Sequence, residues 1–220
     1  MPNTVVNISF CGDHYKGGDG INRQHGQQHW EWLEQCVLLV EKLCSWPIFC
    51  SITGFRGFEQ VEQAAGNCER DVLWRIFARP RVRLVTMAAN PGHQVGAGWC
   101  IRLGLEAAAK TGYEFMVHMA EDIVPDATGM QRLVYELASG REYAGERWGE
   151  WQDEVSSQFF ACRTGHLCGV FDPCAITGAG HLEAYLRDLL PDEKIAYTCG
   201  QYRTTHDFAQ WQRWAMEVAS

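Results

Sequence analysis

Two rhythms of apolar residues alternate along this chain. "TVVNISFC" (4–11) is a β-branched apolar run that stops at "GDHYKGGDG", whose glycines and aspartates extend neither a strand nor a helix. From Trp30 the step changes: Leu33, Val37, Val40 and Cys44 recur at intervals of three and four, which marks one face of a helix. "WPIFCSIT" predicts a second strand, and "GFRGFEQVEQAAGNCERDVLWRIFARP" a mixed, helical connection. "RVRLVTM" (81–87) and "YEFMVHM" (113–119) predict a third and a fourth strand, and between them Val95, Trp99, Leu103 and Ala107 lie four apart on a helix. Met130, Leu133, Val134 and Leu137 form another helical stripe. After about residue 140 the pattern degrades: "GREYAGERWGEWQDEVSS" is charged and tryptophan-rich, and "FFACRTGHLCGVF" predicts one or two strands.

Strands that alternate with helices of this length need crossover connections, which makes the expected fold class α/β, with a mostly parallel central sheet flanked by helices. In such sheets ligands bind beyond the carboxyl ends of the strands. The loops after Cys11, Thr53, Met87 and Met119 are therefore expected to converge on one cleft.

Composition narrows the function classes. With 220 residues, 46% of them hydrophobic, the chain suffices for one well-buried domain. A formal charge of -8 argues against a surface built to neutralise nucleic-acid phosphates. The start "MPNTVVNISF" lacks the basic residues and long apolar core of a secretory signal, and no apolar run approaches the ~20 residues that span a bilayer. The expectation is a cytoplasmic protein without a membrane span. Ten cysteines are scattered with no CxxC pair, a poor pattern for structural zinc, and are expected to be reduced and mostly buried.

Candidate chemistry is concentrated between residues 90 and 125. "NPGHQVGAG" places Asn90, Gly92 and Gly96 where a strand gives way to a helix, whose first amides can hold anionic oxygen; the same glycines also suit a tight turn. The spacing is neither GxGxxG nor a Walker loop. "FMVHMAEDIVP" ends an apolar strand in two adjacent carboxylates, Glu121 and Asp122, a donor pair suited to Mg²⁺ or Mn²⁺ that bridges to a diphosphate, or equally to a solvated turn.

Taken together, the two pieces resemble the nucleotide-sugar-dependent glycosyltransferases of the GT-A fold, in the manner of their family 2. In that family a segment of the type N-x-G-x-x-x-A leads through a small-residue helix and an apolar strand into an acidic DxD-type motif. Asn90, Gly92 and Ala97 approximate the first part, "GLEAAAKTGYEFMVHM" the middle and "AEDIVP" the end, clearest over residues 82–137. Met119 stands where the family has its first Asp and Glu121 where it has its second, so the acidic motif is reduced to Glu121 and Asp122. The resemblance implies a single Rossmann-like GT-A domain over 1–220, with a nucleotide-donor part at 1–125 and an acceptor part at 126–220. It implies a nucleotide-sugar donor, Mn²⁺ or Mg²⁺, and a hydroxyl acceptor that is a saccharide, a protein or a modified nucleobase.

On the same resemblance Phe10, Cys11, Gly12 and Asp13 are expected under the nucleotide base, and His206 near the C-terminus as a further metal ligand. Arg56 is placed at a phosphate or base, and His93 and Gln94 as hydrogen-bond donors to ribose or sugar. Transfer with inversion needs a carboxylate base at the acceptor hydroxyl. Asp192 and Glu193 stand roughly where the family carries it, with Asp153 and Glu154 as rivals. Trp148, Trp151, Trp211 and Trp214 offer flat faces for a sugar or base, although most are expected in the core. Two other classes stay open: a nucleotidyltransferase that makes nucleotide-sugars, and an α/β module that binds a nucleotide without turnover.

Overall fold

The computed structural model describes residues 3–11, 28–55, 67–148, 154–176, 181–198, 202–205 and 207–220; at 28, 29, 67–70, 93, 148 and 154 the backbone alone is described. Seven strands form the central sheet: β1 (Thr4–Cys11), β2 (Ile48–Thr53), β3 (Val82–Met87), β4 (Phe115–Ala120), β6 (Tyr143–Trp148), β7 (Glu154–Arg163) and β8 (Ile195–Thr198), in the order β3-β2-β1-β4-β7-β6-β8. Strand β7 alone runs against its neighbours, and every other pairing is parallel. Strands β5 (Ile123–Pro125) and β9 (Tyr202–Thr204) pair as a second, two-stranded antiparallel sheet.

Helices cover both faces. On one lie α1 (Gln28–Leu43), α2 (Asn67–Phe77), α4 (Ala127–Ala138) and α7 (Phe208–Ala219), which bury Leu33, Val37, Leu73, Leu133 and Trp211 against Val6, Ile8, Ile52 and Val117. On the other lie α3 (His93–Lys110), α5 (Thr164–Val170) and α6 (Leu182–Asp188), with Ile101, Leu105, Leu167 and Leu186 against Val5, Phe49, Met116 and Phe160. Strands β1, β2 and β4 read clearly in the sequence because a parallel strand buried on both faces is largely apolar, while β3, at the sheet edge, is marked by its β-branched and apolar run.

Three expectations are corrected by the fold. The charged stretch after residue 140 contains β6, where Tyr143 and Ala144 are buried between β7 and β8 and the charges fall at the strand's far end, on Glu146 and Arg147. Residues 164–170 are helical, because Leu167 and Phe171 bury themselves one helical turn apart. On α3 the buried face runs through Cys100, Ile101, Gly104, Leu105 and Ala108, while Val95, Trp99, Leu103 and Ala107 are half-buried. Small residues set that face, since the helix lies close to β1: a Cβ on Gly104 would stand 2.4 Å from the Asn7 side chain.

Asn7 has little freedom to yield. Its Nδ2 donates to the Cys100 carbonyl at 3.3 Å and lies 2.9 Å from His118 Nδ1, while its Oδ1 accepts from Ser51 Oγ at 2.6 Å. Gly104→Ala is therefore expected to destabilise the protein by about 1–3 kcal/mol, the usual penalty of overpacking a filled core. Urea unfolding should show a lower midpoint with an unchanged slope.

Candidate functional site

A cleft of about 260 Å³ opens at the carboxyl ends of β1, β2 and β4. Phe10, Cys11 and Thr53 contribute the strand ends, Asn90, Gly92, Gln94, Gly96 and Ala97 one wall, and Ala120, Glu121 and Asp122 another. Ser157, Gln158, Leu182 and Glu183 close the far side from β7 and α6. The crevice lies where parallel sheets of this kind place their ligands.

The wall at residues 90–97 is shaped by two local devices. Gly92 has φ 104° and ψ 175°, a region essentially confined to glycine. A Cβ there would meet nothing within 4 Å, so the backbone angle, not crowding, requires the glycine. Asn90 then clasps the turn: its Oδ1 accepts from the Gly92 amide at 3.2 Å, and its Nδ2 donates to Cys11 Sγ at 3.0 Å across to the end of β1. Helix α3 begins at this point with no acid in its first turn and no side-chain cap on its N-terminus. Uncapped amides and the positive end of an 18-residue helix favour a bound anion there.

The two carboxylates occupy the turn between β4 and β5 and are fixed from both sides. Asp122 is buried; its carbonyl accepts from the Thr205 amide at 3.3 Å and its Oδ2 from Thr204 Oγ1 at 3.5 Å, so β9 holds it in place. From α1, Cys36 Sγ donates to the Glu121 carbonyl at 2.9 Å. Burial, reinforced by the charges of Glu121 and Asp122, pushes the Cys36 thiol well above the ordinary range. Burial likewise pushes Cys100, which lines the cleft, up to about 12. Both are protonated packing groups and not nucleophiles. All eight cysteines with described side chains are free thiols.

Among the described residues no three His, Cys, Asp or Glu side chains form a group that could hold a metal ion alone. Glu121 and Asp122 could instead supply the one or two hard oxygen donors that Mg²⁺ or Mn²⁺ takes from protein when phosphate and water complete its shell. The residues fit a cation shared with a diphosphate.

Sequence reasoning missed the floor and far wall of the cleft. Asn7, Ser51 and His118 form a buried polar row across β1, β2 and β4. The row fixes the state of His118. Asn7 Nδ2 is identified as the amide nitrogen by the carbonyl it faces at Cys100, so the His118 nitrogen beside it accepts, and the neutral ring carries its proton on Nε2. Burial holds the His118 pKa down at about 3, and its ring stacks on Phe160 at 4.9 Å. On the far wall a register shift in the β6–β7 pairing accompanies Ser157 and Gln158 both lining the cleft, where strict alternation would turn one away. Ser157 donates to Glu183 on α6. The signal available beforehand was polar residues inside apolar strands, Asn7 in β1, Ser51 in β2 and His118 in β4; α6 and the shift in β7 left no local trace.

Of the residues singled out from sequence, Phe10, Cys11, Asn90, Gly92, Gln94, Ala97, Glu121 and Asp122 come together in this cleft. Gly12, Asp13, Arg56 and His206 lie outside the described residues, and His93 begins α3 with its side chain undescribed. Asp192 and Glu193 are not brought to the cleft. They form a short 3-10 turn ahead of β8, which runs parallel to β6 and in the same sense as β4, so the turn sits at the opposite, amino edge of the sheet. There Asp192 pairs with Arg187 with its side chain 79% exposed, and the Glu193 carbonyl accepts from Arg141. Of the rival bases, Asp153 lies outside the described residues and Glu154 begins β7. Trp211 is core: its Nε1 donates to the Ile123 carbonyl at 3.1 Å.

The buried neutral His118 makes stability depend on pH. With its folded pKa near 3 and the ordinary value at 6.5, the unfolded chain takes up this proton first, so stability is full above 6.5 and declines as pH falls towards 3. Between pH 6.5 and 5 the loss is expected to reach about 2 kcal/mol, from roughly 1.4 kcal/mol per pH unit. Denaturant unfolding at both pH values should show that drop in the wild type and a much smaller one in His118→Gln.

No protein-family model matches the chain, and no curated protein sequence does either. Solved structures do match in fold. A protein described as a nucleotide-diphospho-sugar transferase, from Desulfovibrio desulfuricans, superposes with a TM-score of 0.50 at 12% identity, over 90% of this chain and 80% of its own. The 4-diphosphocytidyl-2C-methyl-D-erythritol synthase of Anaerococcus prevotii gives 0.56 at 12% identity, over 100% of this chain and 97% of its own. Another 4-diphosphocytidyl-2C-methyl-D-erythritol synthase gives 0.54 at 13%, over 98% of each chain. The α/β fold with a mostly parallel seven-stranded sheet flanked by helices is thus one that these transferases share, and the likeness does not single out the family 2 glycosyltransferases.

Proposed function

We propose that the protein is a glycosyltransferase that moves a sugar from a nucleoside diphosphate-sugar to a hydroxyl acceptor with the help of Mn²⁺ or Mg²⁺. The observation that carries this reading is the meeting, in one cleft, of the glycine-turned N-terminus of α3 with the Glu121–Asp122 pair. The amides at the start of α3 bind and orient the diphosphate, and the two carboxylates hold the cation beside it. The cation, when bound, offsets negative charge that builds on the departing nucleoside diphosphate.

The acceptor's proton needs a carboxylate within reach. Glu183 lines the cleft, where Asp192 and Glu193 do not, and its side chain is only 15% exposed. We assign it the role of general base, positioned by the hydrogen bond from Ser157.

A second reading, nucleotidyl transfer from a nucleoside triphosphate to a sugar phosphate, draws on the two fold neighbours whose names specify a diphosphocytidyl product and which this chain matches over nearly their whole length. The same cleft would serve, and pyrophosphate would leave.

Calorimetric titration of UDP-glucose and GDP-mannose, with Mn²⁺ and with chelator, tests the binding step. Binding of at least one is expected, weakened about tenfold or more by chelator, by Asp122→Asn and by Glu121→Gln, since the amides remove the charge a hard cation needs. Equal affinities under all these conditions would refute the cation site, and release of pyrophosphate from a triphosphate would favour the second reading. Glu183→Gln is expected to lower kcat by about 10²–10⁴ while leaving donor affinity near the wild-type value. A kcat within a factor of two of wild type would remove Glu183 from that role.

A further inference from the structure

We propose that His118 and Gln158 form an uncharged subsite that grips the hydroxyl groups of the sugar attached to the diphosphate. The inference rests on the nucleotide-sugar reading above and extends it to the part of the ligand that both transfer reactions share.

Four observations support the assignment. Both side chains line the cleft. His118 has one nitrogen engaged by Asn7, which leaves Nε2–H as a donor with no partner among the described residues. The amide oxygen of Gln158 is buried and has no hydrogen-bond partner among them either. A buried acceptor left without a donor is disfavoured by the loss of its hydration, so an incoming donor is favoured at that atom. The fourth is place: His118 stands on β4, three residues before Glu121, and Gln158 stands on β7 next to Phe159, the partner of Met119. The pair therefore shares the cleft with the carboxylates proposed for the cation and with Glu183 on the far wall.

The chemistry selects the ligand class. A fixed donor beside a fixed acceptor, neither charged, complements a hydroxyl, which accepts through its lone pairs and donates through its proton. A phosphate gives Gln158 Oε1 no proton, and a carboxylate does not either. A nucleobase would need a flat face to stack on, and the two described rings that line the cleft pack against other rings: His118 is stacked on Phe160, and Phe10 lies in the opposite core against Trp30. A pyranose with several hydroxyls meets both atoms and needs no stacking.

The test compares each nucleotide with its own sugar ester. Affinities of UDP, UDP-glucose, GDP and GDP-mannose are measured with Mn²⁺ for wild type, Gln158→Leu and His118→Phe. In the wild type at least one sugar ester is expected to bind more tightly than its parent diphosphate. Gln158→Leu is expected to weaken that ester about 5- to 10-fold, the effect of one neutral hydrogen bond, while the diphosphate binds as before. Its melting temperature should stay level or rise, because the substitution removes a buried atom without a partner; a purely structural amide predicts a fall. His118→Phe keeps the stacking on Phe160 and should show the same selective loss; should it not fold, Gln158→Leu decides alone. Unchanged preference for the sugar ester in folded Gln158→Leu, or equal loss for ester and diphosphate, overturns the subsite and leaves the nucleotide reading standing. Absence of binding by all four ligands in the wild type overturns both.

Discussion

The architecture depends on the close contact between β1 and α3. Because position 104 has no Cβ, the helix lies near enough for Asn7 to reach its backbone at Cys100, and the same side chain bonds Ser51 on β2 and meets His118 on β4. One amide thereby links three strands and a helix in a fixed register. A buried network of this kind is stabilising only when each member is satisfied, and Asn7 uses both its oxygen and its nitrogen. The next residues along the same strands, Ser9, Thr53 and Ala120, line the cleft directly above that row. Geometry at the cleft is thus inherited from a contact beneath it.

Strand β7 gives the cleft its second side. Had the sheet continued in parallel beyond β4, the segment after it would have started at the amino edge. An antiparallel strand begins instead at the carboxyl edge, so Ser157 and Gln158, near its start, face the ligand crevice. Helix α6 then brings Glu183 up to Ser157.

What the sequence revealed follows the range of the interactions concerned. Strands β1, β2 and β4, helix α1 and the stripe on α4 were legible because burial on both faces, or on one helical face, is written into consecutive residues. The 90–97 turn and the Glu121–Asp122 pair were legible for a similar reason: a glycine with positive φ and acids at a strand end are local features. Strand β6 was not, since its burial comes from its neighbours β7 and β8 rather than from its own composition. That Asp192 and Glu193 lie at the opposite edge from the cleft was not legible because strand direction is set by pairing partners; with β8 running in the same sense as β4, residues before it must lie away from the cleft. His118 looked like an isolated polar residue in an apolar strand, and only the register that sets it opposite Asn7 shows the row.

The pairing of β5 with β9 bears on how the site is made. The sheet core of β1 to β4 assembles from segments that follow one another along the chain, whereas Asp122 is held by Thr204, 82 residues downstream. The clamp on the Asp122 carboxylate thus comes from a segment that follows the whole seven-stranded sheet in the chain. A local opening confined to β9 would therefore release the acidic turn and leave the sheet core standing.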